Sequence, residues 1–356
     1  MIKILHAADF HLDSAFAALS PEQAVLRRRE QRESLRQLAE IGRDCDLVLL
    51  AGDLFDSAHI YRDTLDALKA FFASVQGQIF IAPGNHDCLI PGSPYLTEDW
   101  GENVHIFTSD TIEKVTLEGL NCDVYGAGFS SAHMSPLLRD FRVTNPERYN
   151  LMVLHGELSP HSEYNAILPE QVASSGLDYL ALGHVHSGDS RSLGRTLCAW
   201  PGCLMGRGFD ECGEKGVCLV TLDGQEKRVE FLPVAGRKYE ILEVAAEEDP
   251  LAAILAALPE DTERDCYKIL LTGEADPVDL TALEQQLSPR FFSLRLRDQT
   301  HPRSALWAQS GEDTLRGHFL ERLKEDYDRG DEARREKILL AAKLVTALMD
   351  GREVPL

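Results

Sequence analysis

Short, almost wholly apolar runs punctuate the first half of this 356-residue chain: Ile2-Lys3-Ile4-Leu5, Leu47-Val48-Leu49-Leu50, Ile79-Phe80-Ile81, Leu151-Met152-Val153-Leu154 and Tyr179-Leu180-Ala181-Leu182. Runs this short, closed by Gly, Asp, Asn or His, read as strands buried on both faces. The stretches between them keep another period. Leu26, Leu35, Leu38 and Ile41 recur at helical spacings over 23–41, with Ser20 as N-cap and Pro21 as first helical residue. Leu65, Leu68 and Phe72 predict a second helix over 62–72. Further strands are predicted at 114–117, 122–125, 196–200, 217–220 and 229–232. Early βαβ units followed by meander strands imply an α/β fold with two packed β-sheets flanked by helices.

The pattern restarts near Val234-Ala235-Gly236-Arg237. Strands at 239–244, 267–271 and 291–296 alternate with helices at 250–258 and 280–287, a small βαβαβ module with its own core. From residue 313 the chain turns helical and charged. Leu315, Phe319 and Leu323 form one stripe, and Ile338, Ala341, Ala342, Val345 and Leu348 form another. The predicted units are 1–235, 236–300 and a helical tail, 301–356.

Composition narrows the setting. Hydrophobic residues make up 44% of the chain, enough for a sizeable core. No basic, apolar leader precedes the first strand, and no apolar run approaches the roughly 18 residues of a membrane span. The expectation is a cytoplasmic protein without membrane contact. Eight cysteines without framework spacing fit a reducing compartment. A net charge of −22 opposes a freestanding nucleic-acid binder, since phosphate contacts draw on Lys and Arg. Any nucleic-acid grip is then local or shared with a partner.

The chemistry sits directly after the five apolar runs. They are followed by Asp9-Phe10-His11, Gly52-Asp53, Gly84-Asn85-His86-Asp87, His155-Gly156 and Gly183-His184-Val185-His186. In open α/β sheets, sites gather at the carboxyl ends of strands. Three oxygen donors (Asp9, Asp53, Asn85) and four imidazoles (His11, His155, His184, His186) are too many for one tetrahedral ion. They suit two ions sharing a carboxylate, the arrangement used for in-line attack on phosphorus. Any one cluster is weak alone; five in order after buried strands are not. The other histidines lack this context and read as ordinary polar residues. Cys198, Cys203, Cys212 and Cys218 lack a C-x2-C knuckle and read as buried thiols, and Cys88 as packing. Arg27, Arg28, Arg29, Arg32 and Arg36 form either a phosphate contact or a solvated helix face.

Together these motifs resemble the calcineurin-like metallophosphoesterase superfamily. Gly52-Asp53-Leu54-Phe55-Asp56, Gly84-Asn85-His86-Asp87 and Gly183-His184-Val185-His186 are similar to its SbcD-type DNA repair exonuclease branch, and the chain's size to the short, YhaO-like bacterial subgroup. The stretch Trp200-Pro201-Gly202-Cys203-Leu204 through Gly213-Glu214-Lys215-Gly216-Val217 resembles that branch's Y-P-G-S…E-K-G-F strand pair, with Trp and Cys replacing Tyr and Ser. The resemblance implies a four-layer αββα core over 1–235, a capping domain over 236–300 and a partner-binding tail. It implies that Asp9, His11 and His186 hold one ion, Asn85, His155 and His184 a second, and that Asp53 bridges them. His86 would be the catalytic histidine and Asp87 its orienting partner. Some relatives carry histidine at the position of Asp56, which leaves that residue without an implied role.

The implied activity is two-metal phosphodiester hydrolysis on DNA, as the nuclease subunit of an SbcCD-like repair complex. Mixed oxygen and imidazole donors suit manganese better than magnesium; zinc and iron are compatible. The implied partners are DNA, an SbcC-like coiled-coil ABC ATPase held by the C-terminal helices, and a second copy of the chain. Rival readings are a phosphodiesterase for a nucleotide or other small phosphodiester, and an inert binding module.

Overall fold

The computed structural model describes residues 1–57, 59–246, 248–275, 278–301 and 304–351. The chain divides into two compact units, Met1–Lys238 and Tyr239–Leu356.

In the first unit the strands are β1 (Ile2–Ala7), β2 (Leu47–Leu50), β3 (Gln78–Ile81), β4 (Val104–Ile106), β5 (Glu113–Leu117), β6 (Cys122–Gly126), β7 (Tyr149–His155), β8 (Tyr179–Gly183), β9 (Asp189–Leu193), β10 (Thr196–Trp200), β11 (Gly216–Asp223) and β12 (Glu226–Pro233). The helices are α1 (Pro21–Gly42), α2 (Arg62–Ser74), α3 (Pro94–Thr97) and α4 (Pro169–Ser175). One six-stranded sheet runs β12-β11-β1-β2-β3-β4, the other β5-β6-β7-β8-β10-β9. β1 to β4 are mutually parallel, as are β6, β7, β8 and β10, so both sheets are mixed.

Strand alternation builds the layers. Leu5, Val48, Leu50, Ile79 and Ile81 face outward under Leu35 and Leu38 of α1 and Leu65, Leu68 and Phe72 of α2. Ile4, Leu47, Leu49 and Phe80 face inward and meet Val124, Leu151, Val153 and Ala181 of the second sheet. Met152, Leu154, Leu180 and Leu182 turn to the far side, under Val172 of α4. The result is the expected four-layer αββα core. Each fully buried Leu or Phe contributes roughly 1.5–3 kcal/mol.

The helix signals act as read. Ser20 Oγ accepts from Gln23 N at 3.2 Å while Gln23 Oε1 accepts from Ser20 N at 3.1 Å, a reciprocal cap. Leu26, two and a half helical turns from Leu35 and so on the opposite face of α1, is turned outward and 40% exposed. The arginine stretch is not simply a solvated helix face. Arg27 is fully buried and donates from Nη2 to Gly206 O at 2.8 Å, tying α1 to the loop before β11. Arg32 lies 3.6 Å from Asp13 Oδ1.

The second unit is a parallel sheet of β13 (Tyr239–Ala245), β14 (Cys266–Thr272) and β15 (Ser293–Asp298) with α5 (Pro250–Ala257) and α6 (Leu280–Leu287), followed by α7 (Leu315–Arg329) and α8 (Glu332–Met349). Val244, Ile254, Ile269, Leu271, Leu283 and Leu287 form its core. Lys343 of α8 ion-pairs with Asp298 at the end of β15 and donates to Thr300 Oγ1 at 2.8 Å, so the C-terminal helices and the small sheet share one unit. Among the described residues no helix is long and apolar enough to cross a membrane.

Replacing Arg27 with Met leaves the Gly206 carbonyl without its donor. We expect a loss of about 1–3 kcal/mol, measured by chemical denaturation; a change below about 0.5 kcal/mol would contradict the tie.

Candidate metal centre

The five clusters meet because of topology. β1, β2 and β3 are adjacent and parallel, so the loops after them emerge side by side carrying Asp9, Asp53 and Asn85. β7 and β8 are adjacent in the facing sheet and deliver His155, His184 and His186 at their carboxyl ends. The first loops are laced together: Asp9 N donates to Gly52 O at 3.0 Å and His11 N to Asp53 O at 2.9 Å. Asp9, His11, Asp53 and His184 all take positive φ (52°, 44°, 52° and 84°). Such backbone costs of order 1–3 kcal/mol per residue and concentrates at functional sites. Glycines make the crowding feasible. A Cβ on Gly84 would collide with the Asp53 carboxylate, and one on Gly52 would stand 2.6 Å from His155 Nδ1.

Three imidazoles are held in the same sense. His155 Nδ1 lies 2.9 Å from Ala51 O, His186 Nδ1 2.7 Å from Glu211 Oε1, and His11 Nδ1 3.2 Å from Asp56 Oδ1. With Nδ1 anchored outward, each Nε2 points into the centre, as metal-binding histidines do. There His11 Nε2 and His186 Nε2 stand 3.2 Å apart, and His155 Nε2 is 2.9 Å from Asn85 Oδ1. Asp53 Oδ2 lies 3.4 Å from His155 Nε2 and 3.7 Å from His11 Nε2, between the two groups. Asp9 Oδ1 is 4.0 Å from His186 Nε2. Facing imidazole nitrogens beside two buried carboxylates fit divalent cations, and three sets lie within 4.8 Å: Asp9–His11–His186, Asp9–Asp53–His155 and His11–Asp53–His86. The His184 ring lies beside His155, centroids 5.1 Å apart, and the His184 backbone N–H donates to the Asp9 carboxylate at 3.0 Å. All seven predicted ligands therefore line one site.

The electrostatics show how crowded it is without cations. Burial holds the Asp9 carboxyl up at about 7. Burial opposes charge on His155 too, but the Asp53 and Asp9 carboxylates outweigh it and keep the imidazole protonated up to about 9. Burial and the His155 charge push His184 down to about 4. Asp53 is buried, yet His155 and His11 hold it below the usual carboxylate range.

Comparison with known proteins fits this geometry. The calcineurin-like phosphoesterase family profile matches residues 2–188. The uncharacterized metallophosphoesterase YhaO of Bacillus subtilis (strain 168) is 30% identical over 367 residues, covering 93% of this chain and 88% of the relative. The chain belongs to the calcineurin-like phosphoesterase family. It is also 26% identical to the DNA double-strand break repair protein Mre11 of Aeropyrum pernix, over 68% of this chain and 64% of that protein. The 3′,5′-cyclic adenosine monophosphate phosphodiesterase CpdA of Haemophilus influenzae is 29% identical over 45% of this chain and 57% of that protein. Members of the family are metal-dependent phosphoester hydrolases.

Within this phosphoesterase the two expected catalytic residues part company. His86 is exposed at the mouth, its ring centroid 4.8 Å from that of His11 and its backbone N–H donating to Asp53 Oδ1 at 2.9 Å. Asp87 does not orient that ring, which corrects the sequence expectation. Its carboxylate is buried and accepts from the N–H groups of Gly84 at 2.7 Å and Leu54 at 2.7 Å and from Tyr95 Oη at 2.5 Å. Asp87 fastens the loop after β3 to the loop after β2.

Glu211, Arg207 and Asp56 complete the surroundings. Glu211 accepts from His186 and from Arg207 Nη2 at 2.6 Å, and these partners overcome burial to hold it below the usual carboxylate range. Arg207 Nη1 also donates to Asp56 Oδ1 at 3.0 Å, which gives Asp56 a place behind His11. Glu211 and Arg207 lie in an irregular loop with no strand-end cue; only their position inside the Trp200–Val217 motif pointed there.

Since His155 carries a proton below pH about 9 in the metal-free site and a ligand nitrogen must shed it, metal uptake at pH 7 releases protons. Calorimetric titration with manganese in buffers of different ionisation enthalpy is expected to show at least about one proton released per chain. Heats independent of the buffer would contradict this arrangement.

Proposed function

We propose that this phosphoesterase is a two-metal phosphodiesterase acting on DNA, the nuclease subunit of an SbcCD-like repair complex. The observation that carries the hydrolytic chemistry is the set of three inward Nε2 atoms around two buried carboxylates, with the exposed His86 imidazole at the mouth. Asp9, His11 and His186 would hold one cation, Asn85, His155 and His184 a second, and Asp53 would be shared. The donor mixture favours manganese. A bound pair of divalent cations supplies Lewis-acid charge to the phosphate and lowers the pKa of water.

The remaining steps belong to the chain. Glu211, Asp56 and the Ala51 carbonyl fix the imidazole rings. Asp87 holds the two loops together so that Asp53 and His86 keep their spacing. As water adds to phosphorus and the bond to the leaving oxygen breaks, His86 donates a ring proton to that oxygen, a role worth about 10²–10⁴-fold. DNA as substrate is supported by the match to the repair protein Mre11, which spans 68% of the chain. Hydrolysis of a cyclic or other small phosphodiester is the second reading, favoured by the match to the cyclic AMP enzyme over 45% of the chain.

The partner proposal rests on the second unit. Leu340 and Leu348, on one face of α8, are 56% and 60% exposed, an apolar surface suited to a coiled-coil ATPase that would add basic DNA-binding surface to a chain of net charge −22.

His86→Ala is expected to keep its metal content and lose at least about a hundredfold in turnover; full activity would remove His86 from the mechanism. With manganese, linear duplex DNA, single-stranded DNA, bis-p-nitrophenyl phosphate and 3′,5′-cyclic AMP should be assayed side by side. Degradation of DNA is expected, and cyclic AMP turnover with intact DNA would replace the reading by the second one. Joint Leu340→Asp and Leu348→Asp substitution should abolish co-purification with a co-expressed coiled-coil ATPase and keep hydrolysis. Unchanged co-purification would remove the proposed surface.

A further inference from the structure

We infer that the cleft beside His186 is a nucleoside subsite in which Phe231 is the stacking platform for the base attached to the scissile phosphate, an inference that rests on the DNA reading above. The cleft, about 590 Å³, lies where the edge strands of the two sheets, β12 and β9, leave the inter-sheet layer open. Its size falls within the roughly 300–1,000 Å³ of small-molecule sites. His186 lines the cleft and also reaches the metal centre with its Nε2, so the two share that residue.

The walls are Trp200, Val229 and Phe231. Trp200 is buried and anchored, its Nε1 donating to Gly156 O at 3.2 Å. Phe231 is different. It pairs in register with Cys218 of β11, which packs in the inter-sheet core, yet Phe231 is 41% exposed. Glycines account for its position. A Cβ on Gly216 would stand 2.9 Å from Phe231 Cζ, and one on Gly188 would stand 3.9 Å from Phe231 Cε2. The ring therefore rests on bare backbone and keeps open surface toward the cleft. An exposed aromatic of this kind suits a nucleobase, because every base has a π face.

Asp189, Glu214 and Lys215 also line the cleft. Both carboxylates are paired, Asp189 with Arg191 and Glu214 with Lys238 Nζ at 3.2 Å, so neither stands as free negative charge against a nucleotide. Phe231 acts as a substrate-binding residue and touches none of the predicted ligands' carboxylates.

The test uses manganese-loaded full-length protein and labelled single-stranded oligonucleotides whose 3′- or 5′-terminal nucleotide is either intact or abasic. The readout is the ratio of initial rates, intact over abasic, within one preparation, which does not depend on the folded fraction. The wild type is expected to favour the intact end by between about fivefold and about 150-fold. Phe231→Ala should bring the ratio close to one, and Phe231→Tyr should restore it. A wild-type ratio of one at both ends, or the same ratio in Phe231→Ala as in the wild type, would overturn the subsite and leave the nuclease reading intact. A wild type that hydrolyses bis-p-nitrophenyl phosphate but neither oligonucleotide removes the DNA reading, and the nucleoside subsite falls with it.

Discussion

Asp53 is the constraint on which this structure turns. Its carboxylate is buried at the junction of the two sheets, within 3.4 Å of His155 Nε2 and 3.7 Å of His11 Nε2, and it accepts from the His86 N–H at 2.9 Å. Burying several charges together is unfavourable unless cations or close partners compensate them. Without a metal the site compensates internally, by protonating His155 and holding Asp9 partly neutral. That internal arrangement is the reciprocal of cation binding, which is why ligand protonation and metal affinity must be linked here.

The loops achieve this convergence with strained backbone, and the strain is held in place by polar ties. Asp87 takes N–H groups from two loops and the Tyr95 hydroxyl at once. Arg27 reaches from α1 to the loop that carries Arg207 and Glu211, and Glu211 in turn fixes His186. The same loop leads into β11 and then to β12, whose Phe231 borders the cleft that begins at His186. A single connected segment thus positions one side of the metal centre and one wall of the cleft beside it.

Much of this was legible because buried parallel strands leave continuous apolar runs, and because their carboxyl ends are where donors accumulate. The seven predicted ligands are brought together for that reason. What was not legible has equally physical causes. β9 reads Asp-Ser-Arg-Ser-Leu, an exposed edge strand without an apolar face, and β4 has only three residues, so neither gave a period to detect. Asp87 stands beside His86 in sequence, which suggested an orienting role, but its side chain turns inward to satisfy backbone donors that sequence cannot show. Glu211 and Arg207 act on residues more than twenty positions away through an irregular loop, where spacing carries no signal.

The most direct measurement is anomalous diffraction at the manganese absorption edge from crystals grown with that ion. The account predicts two peaks per chain, both in contact with the carboxylate of Asp53, one flanked by His11 and His186 and the other by Asn85 and His155. One peak, or two that do not share Asp53, would contradict it.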